Sequence, residues 1–137
     1  MNLEWYFGFL IGAMFLTSIA VAQVTGQNDE SSDTAINYAQ KAQELLNQTM
    51  VEYNRGNSTG AEDLATKAYL DNFENVESPL EKKDAGDLKE QIEEMMREEL
   101  RDMIKDNATV GEVSEQINST NAKLSEAISV LGEDGNE

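Results

Sequence analysis

Between residues 35 and 53, small and apolar side chains recur at alternating steps of four and three: Ala35, Ala39, Ala42, Leu46, Thr49 and Tyr53. Steps of this kind stack side chains on one face of a helix, whereas a strand would need a step of two. Ile36, Leu45 and Met50 widen the stripe. The pattern predicts an amphipathic helix starting near Asp33, a good N-cap, and stopping at Asn54-Arg55-Gly56-Asn57. A stripe so narrow cannot hold a helix together in water, so it must be buried against other elements.

Three more segments supply them. Thr59-Gly60-Ala61-Glu62 reads as a capping box that opens a second helix. Leu64, Ala65, Ala68, Tyr69, Phe73 and Val76 form its apolar face. Pro79 is expected to kink or end it, with Leu80 packing beyond. Asp84-Ala85-Gly86-Asp87 is the next break, with Asp87 as N-cap. Leu88, Ile92, Met95, Met96, Leu100, Met103 and Ile104 then line a third helix. Its solvated side carries Glu93, Glu94, Glu98 and Glu99, with Arg97, Arg101 and Lys105 as partners three or four residues on. Thr109-Val110-Gly111-Glu112 is another capping box. Val110, Val113, Ile117, Leu124, Ile128 and Leu131 follow on one face, with Thr120 and Asn121 filling the gap, and Gly132 ends the helix. Few runs alternate as strands do, and good helix formers dominate. Residues 33–131 are thus expected to form an all-α, antiparallel up-down four-helix bundle, after a polar tether at 25–32 and before a tail at 132–137.

The N-terminus reads differently. Leu3 to Val24 is apolar or small apart from Glu4 and Gln23, and a helix of roughly 20 such residues crosses a bilayer. Trp5 and Tyr6 suit a headgroup region, and Gly8 and Gly12 form a GxxxG pair that favours close helix packing. Ala20-Val21-Ala22 resembles a signal-peptide cleavage site, but the start MNLE lacks the usual basic residues. The segment is read as a retained transmembrane anchor, residues 1–24. No Lys or Arg occurs before Lys41, which places the bundle on the extracytoplasmic side of the cell membrane. An integral membrane protein is the expected partner. Asn47, Asn57, Asn107 and Asn118 each open an N-x-S/T glycosylation sequon, although turn and capping roles account for such residues equally.

The charge bounds the chemistry. Of 137 residues 27 are acidic and 10 basic, a formal net charge of −17. Nucleic acid is an unsuitable partner, because phosphate contact needs a basic patch. A chain with neither histidine nor cysteine excludes zinc sites, disulfides, imidazole dyads and the Glu-x-x-His pairs of di-iron bundles. Asp71, Glu74, Glu77 and Glu81 are spaced to share a helical face, and carboxylates suit iron or another hard cation. The alternative for them is a solvated acidic face. Met95, Met96 and Met103 sit at helical spacing beside Leu100 and Ile104, which favours core over copper(I) ligation. Tyr69 and Phe73 form an i,i+4 aromatic pair, core if buried and the centre of a protein interface if exposed.

The run from Ala68 to Ile104 resembles the soluble helical domain attached to some high-affinity iron permeases of the iron-lead transporter family. There an AYL-x-x-FE-x-(L/V)E-x-x-L segment precedes a D-x-x-L-x-x-x-IE helix. The matching positions are Ala68, Tyr69, Leu70, Phe73, Glu74, Val76, Glu77 and Leu80, then Asp84 or Asp87, Leu88, Ile92 and Glu93. The resemblance implies iron capture or partner docking. The permeases' several membrane helices and their Arg-Glu-x-x-Glu motif are missing, so the likeness is to the extracytoplasmic module alone. In architecture and composition the chain also resembles small accessory subunits of archaeal membrane complexes, such as archaeal ammonia monooxygenase, without a shared motif. The sequence reads as a non-catalytic accessory or docking subunit, with a cation-binding protein that feeds a metal transporter as the alternative.

Overall fold

The computed structural model describes residues 27–133. They form four helices: α1 (Gln27–Asn54), α2 (58–82), α3 (86–105) and α4 (Val110–Gly132). α1 packs along α2 and α4, and α3 packs along the same two, leaving α1 and α3 at opposite corners. Short turns make each helix antiparallel to the next, as the stripes require.

The core is the set of stripes turned inward. Ala35, Ala39, Ala42, Leu46, Thr49 and Tyr53 are all buried, as are Leu88, Ile92, Met96, Leu100 and Ile104. Each fully buried Leu, Ile, Val or Phe contributes about 1.5–3 kcal/mol. The buried threonines are satisfied within their own helices. Thr49 Oγ1 donates to the Leu45 carbonyl at 2.9 Å, and Thr120 Oγ1 to that of Gln116 at 2.8 Å. The face of α4 departs slightly from expectation: Val110 is 44 % exposed, and Ala127 rather than Ile128 fills the last buried turn.

α2 and α3 are not uniform α-helices. α2 joins two α-helical stretches, Ser58–Lys67 and Glu74–Lys82, through a π-helical turn at Ala68–Phe73. α3 has another at Met95–Glu99. The sequence demands them. Leu88, Ile92, Met96, Leu100 and Ile104 are each four apart, and at 3.6 residues per turn every such step drifts by about 40°. Four steps would swing Ile104 about 160° from Leu88. One π turn absorbs an extra residue, about 100° of rotation, and all five stay buried. In α2, Ala61, Ala65, Tyr69 and Phe73 share the same spacing and are likewise buried. Asn72 Nδ2 donates to the Lys67 carbonyl at 3.0 Å beside that turn.

The three turns share one design. Gly56 (φ 83°), Asp84 (φ 57°) and Asn107 (φ 54°) each take the left-handed conformation. In each, the following N–H reaches back five residues: Asn57 to Glu52, Ala85 to Leu80 and Ala108 to Met103. The left-handed residue's own N–H reaches back three, giving three Schellman caps. The α1–α2 and α3–α4 turns lie at the same end, where Tyr53 Oη donates to the Ala108 carbonyl. At the opposite end Lys83 Nζ donates to the Glu133 carbonyl at 2.6 Å.

Several expectations need correction. The fold class was an N-terminal transmembrane helix followed by the bundle, yet among the described residues no helix is long and apolar enough to cross a membrane. α1, the longest, carries charged or amide side chains in every turn. The single-pass membrane location and the extracytoplasmic placement fall with that anchor. Leu3–Val24, with Gly8 and Gly12, lies outside the described residues, as does the tail from residue 134. The tether expected at 25–32 is helical from Gln27. α2 is capped by Asn57, whose side chain accepts from the Gly60 N–H at 3.1 Å, rather than by Thr59. α3 begins at Gly86 behind Ala85, so Asp87 lies in its first turn, where a carboxylate complements the helix dipole. Pro79 does not end α2, which continues to Lys82 because Val76 and Leu80 on either side are fully buried. The capping box at Thr109 and Glu112 forms as expected.

The π turn in α2 places Phe73 inside and leaves Leu70 46 % exposed. Phe73→Ala is therefore expected to cost about 3–5 kcal/mol and Leu70→Ala within about 0.5 kcal/mol, measured by urea denaturation. Equal losses would contradict this register.

Candidate functional site

The two π turns touch across the α2–α3 seam. π turns inside α-helices frequently mark functional positions, and the seam they form holds four of the five ionisable groups clearly shifted among the described residues, Tyr69, Glu77, Lys89 and Arg97. Tyr69, buried on α2, donates its hydroxyl to Glu77 Oε1, eight residues later, at 3.4 Å. Its ring lies 6.3 Å from that of Phe73, tilted by 32°. From α3, Arg97 faces the Tyr69 hydroxyl and holds Glu93 Oε1 at 2.8 Å and Glu98 Oε1 at 3.0 Å. Nearer the α2–α3 turn, Lys89 reaches across to Glu81 Oε1 at 3.0 Å.

The electrostatics follow from burial among like charges. Burial raises the Glu77 carboxyl above its ordinary value, and Glu93 and Glu74 add to this, while Lys89 and the Tyr69 hydroxyl pull it down. The Tyr69 phenol is raised too, first by burial and then by Glu77 and Glu93, with Arg97 opposing. The ion pair with Glu81 raises Lys89, and the one with Glu98 raises Arg97. The seam is a strip of opposed charges with a carboxylate surplus.

This geometry reassigns the residues singled out from the sequence. Asp71, Glu74, Glu77 and Glu81 do not converge. Asp71 and Glu74 are exposed, Glu77 turns into the seam, and Glu81 is taken up by Lys89. Among the described residues no three His, Cys, Asp or Glu side chains are placed to hold a metal ion. The carboxylate set read as a site for iron or another hard cation is corrected accordingly. Tyr69 and Phe73 are 5 % and 0 % exposed; they belong to the core and cannot centre an interface. Met96 is fully buried in the core. Asn47, Asn57, Asn107 and Asn118 are all exposed.

The sequence reading missed the partnership of Glu93 and Arg97 with α2, having placed Glu93 on the solvated side. The signal was available in the unbroken steps of four, which no plain α-helix can keep on one face. Elsewhere, Thr34, Asn37, Tyr38, Lys41 and Asn72 line a groove between α1 and α2. At about 260 Å³ and open to solvent, it is smaller than ligand pockets of roughly 300–1,000 Å³. The α1–α4 seam is neutral: Gln43 Nε2 donates to Ser125 Oγ at 2.9 Å, and Asn121 Nδ2 to Asn47 Oδ1 at 2.9 Å.

Glu77 makes stability depend on pH with a definite sign. Its folded value lies above its unfolded one, so between the two the native state binds the extra proton and stability falls as pH rises. Glu112, lowered first by the Thr109 N–H and then by its hydroxyl, acts in the opposite sense and below that window. Glu77→Gln is thus expected to be more stable than the natural chain at pH 7, with the gap closing towards about pH 4, near the unfolded carboxyl value. Urea titrations of both chains across this range measure it; a less stable Gln variant at pH 7 would reverse the assignment.

Set against family models, curated proteins and solved structures, the chain matches none of them, so the likeness to the iron-permease module stands on the quoted residues alone.

Proposed function

We propose that the chain is a non-catalytic docking subunit that presents an acidic α2–α3 face to a basic surface on a partner protein. The observation that carries this reading is the uneven placement of charge. Residues 58–106 hold 15 of the 27 acidic and 7 of the 10 basic side chains, a net charge of −8, and the acidic surplus lies on the outer side of α3. Along α3, Asp87, Glu90, Glu94, Glu98 and Asp102 are exposed, and of these five only Glu98 has an ion pair. The opposite seam, between α1 and α4, is bridged by neutral amides and hydroxyls. A face with a surplus of one sign steers a complementary partner and sets its orientation more than it adds affinity.

A non-catalytic role is supported by the lack of histidine and cysteine and by carboxylates that spread along helices instead of facing one another across a cleft. The cation-collecting alternative has no convergent carboxylate group among the described residues to rest on.

The test places a photo-crosslinking residue at position 94 or at position 40 of the full chain in its native cells. Capture of one defined complex from 94 and not from 40 is expected. Association of that partner should weaken as salt rises. It should also slow by about tenfold or more in the variant E90Q/E94Q/E98Q/D102N, but not in E44Q/E115Q/E126Q/E133Q, which removes the same charge elsewhere. Equal slowing in both variants, or no complex from position 94, would refute the reading.

A further inference from the structure

Resting on the docking reading above, we infer that Arg101 is the anchor of that face and takes a carboxylate carried among the basic residues of the partner.

Arg101 is a partly buried cation without a counterion, although 27 acidic residues are available to 10 basic ones. Along the flank of α3 that faces α2, Lys89 holds Glu81, Arg97 holds Glu93 and Glu98, and Lys105 reaches Glu62 at 3.8 Å. Arg101 stands four residues from both Arg97 and Lys105, so it lies between them on the same flank. Among the described residues it has no ion pair and no hydrogen bond, and its Nε is buried. Lys67 and Lys82 also lack counterions, but both are exposed to water.

The sequence around it explains the vacancy. Glu98, three residues back, is already taken by Arg97. Between Glu62 and Tyr69, the antiparallel level of α2 opposite Arg101 falls at Ala65 and Thr66, which carry no charge. A buried N–H without an acceptor has lost its water and gained nothing in return. Such exceptions are few in native proteins, and each calls for a role. Turning outward, Arg101 would break no hydrogen bond or ion pair, and the move frees its whole guanidinium edge.

The surroundings define what it takes. Glu90, Glu94, Glu98 and Asp102 are exposed, each two residues beyond a buried Leu88, Ile92, Met96 or Leu100. Two residues turn a helix by about 200°, so this row runs along the outer side, kept straight by the same π turn. A partner helix that answers it carries cations about 6 Å apart. Beside such a row the guanidinium needs an acceptor, and a carboxylate gives it two parallel charge-assisted bonds. Anywhere else on the acidic face that carboxylate is repelled, so Arg101 fixes the partner's register. Arginine is also enriched among the few residues that dominate binding energy.

The experiment uses the full chain and synthetic peptides of about 20 residues, long enough to hold a helix, with lysine at every fourth position. One glutamate takes each remaining position in turn, and each peptide has a glutamine twin. At one position, or two neighbouring ones, the glutamate peptide is expected to bind about tenfold tighter than its twin. Arg101→Met should erase that difference, as should Arg101→Lys, which keeps the charge but not the fork. In NMR of the labelled chain, the Arg101 Nε–H signal should move with that peptide and not with its twin. Without peptide, Arg101→Met should leave the urea midpoint unchanged or raised, because the variant keeps the stem and removes an unpaired N–H. Peptides that bind with no glutamate–glutamine difference at any position, or a difference that survives either variant, would overturn the inference and leave the docking face standing. A lowered midpoint for Arg101→Met would also overturn it, by assigning the side chain to the fold. No binding by any peptide would overturn both readings.

Discussion

The bundle depends on a mismatch between the spacing of its apolar residues and the pitch of an α-helix. In α2 and α3 the buried side chains come every four residues, and a helix of 3.6 residues per turn cannot keep them on one face. The π turns at Ala68–Phe73 and Met95–Glu99 reconcile the two. Without them either Phe73 and Ile104 would leave the core or the helices would have to wind around one another. Because the two turns adjoin, the correction to packing also determines which polar groups meet. Glu77 is brought under Tyr69, and Arg97 is aimed at the same hydroxyl.

Those contacts have a cost that the rest of the fold must offset. Glu77 and Glu93 repel, and burial worsens the penalty for Glu77. Lys89 relieves part of it, and Arg97 pairs with Glu93 from a half-exposed position where solvent screens the charge. The stabilising side of the balance sits elsewhere, in side chains such as Leu46, Phe73, Leu80 and Ile117 that are wholly buried. Three Schellman caps and the Thr109 capping box add order at the ends. The bundle can therefore carry a poorly compensated acidic face without surrendering its shape.

The sequence made the helices legible because their stripes are long and regular. Ala35 to Tyr53 all point inward, and the Thr109–Glu112 box opens α4 at the expected residue. It was less informative about helix boundaries. Asn57 outcompeted Thr59 for the cap of α2 because its amide also reached Glu52. Asp84, not a glycine, takes the left-handed position of the α2–α3 turn. Pro79 misled for a general reason: loss of one backbone bond is small beside the burial of Val76 and Leu80 around it. The acidic quartet was misread because helical spacing assumes 100° per residue. The π turn lies across Asp71, so Glu77 and Glu81 no longer share its face, and each meets a partner from α3 or the core.

Charge and packing divide the surface between them. On α1 and α4 the seam is closed by amide and hydroxyl pairs such as Gln43 with Ser125, groups that desolvate at modest cost and need no counterion. On α3 the exposed carboxylates outnumber the basic side chains beside them, Lys89, Arg97, Arg101 and Lys105, and the surplus favours anything positive that settles among them. Such a partner would meet a backbone already set by two packed helices, so the ordering cost falls on the exposed side chains alone. The register of α2 and α3 thus divides the carboxylates between two roles: it turns Glu77 and Glu93 into the seam, where they repel, and leaves Glu90, Glu94 and Asp102 on the outer side, where a basic surface can reach them.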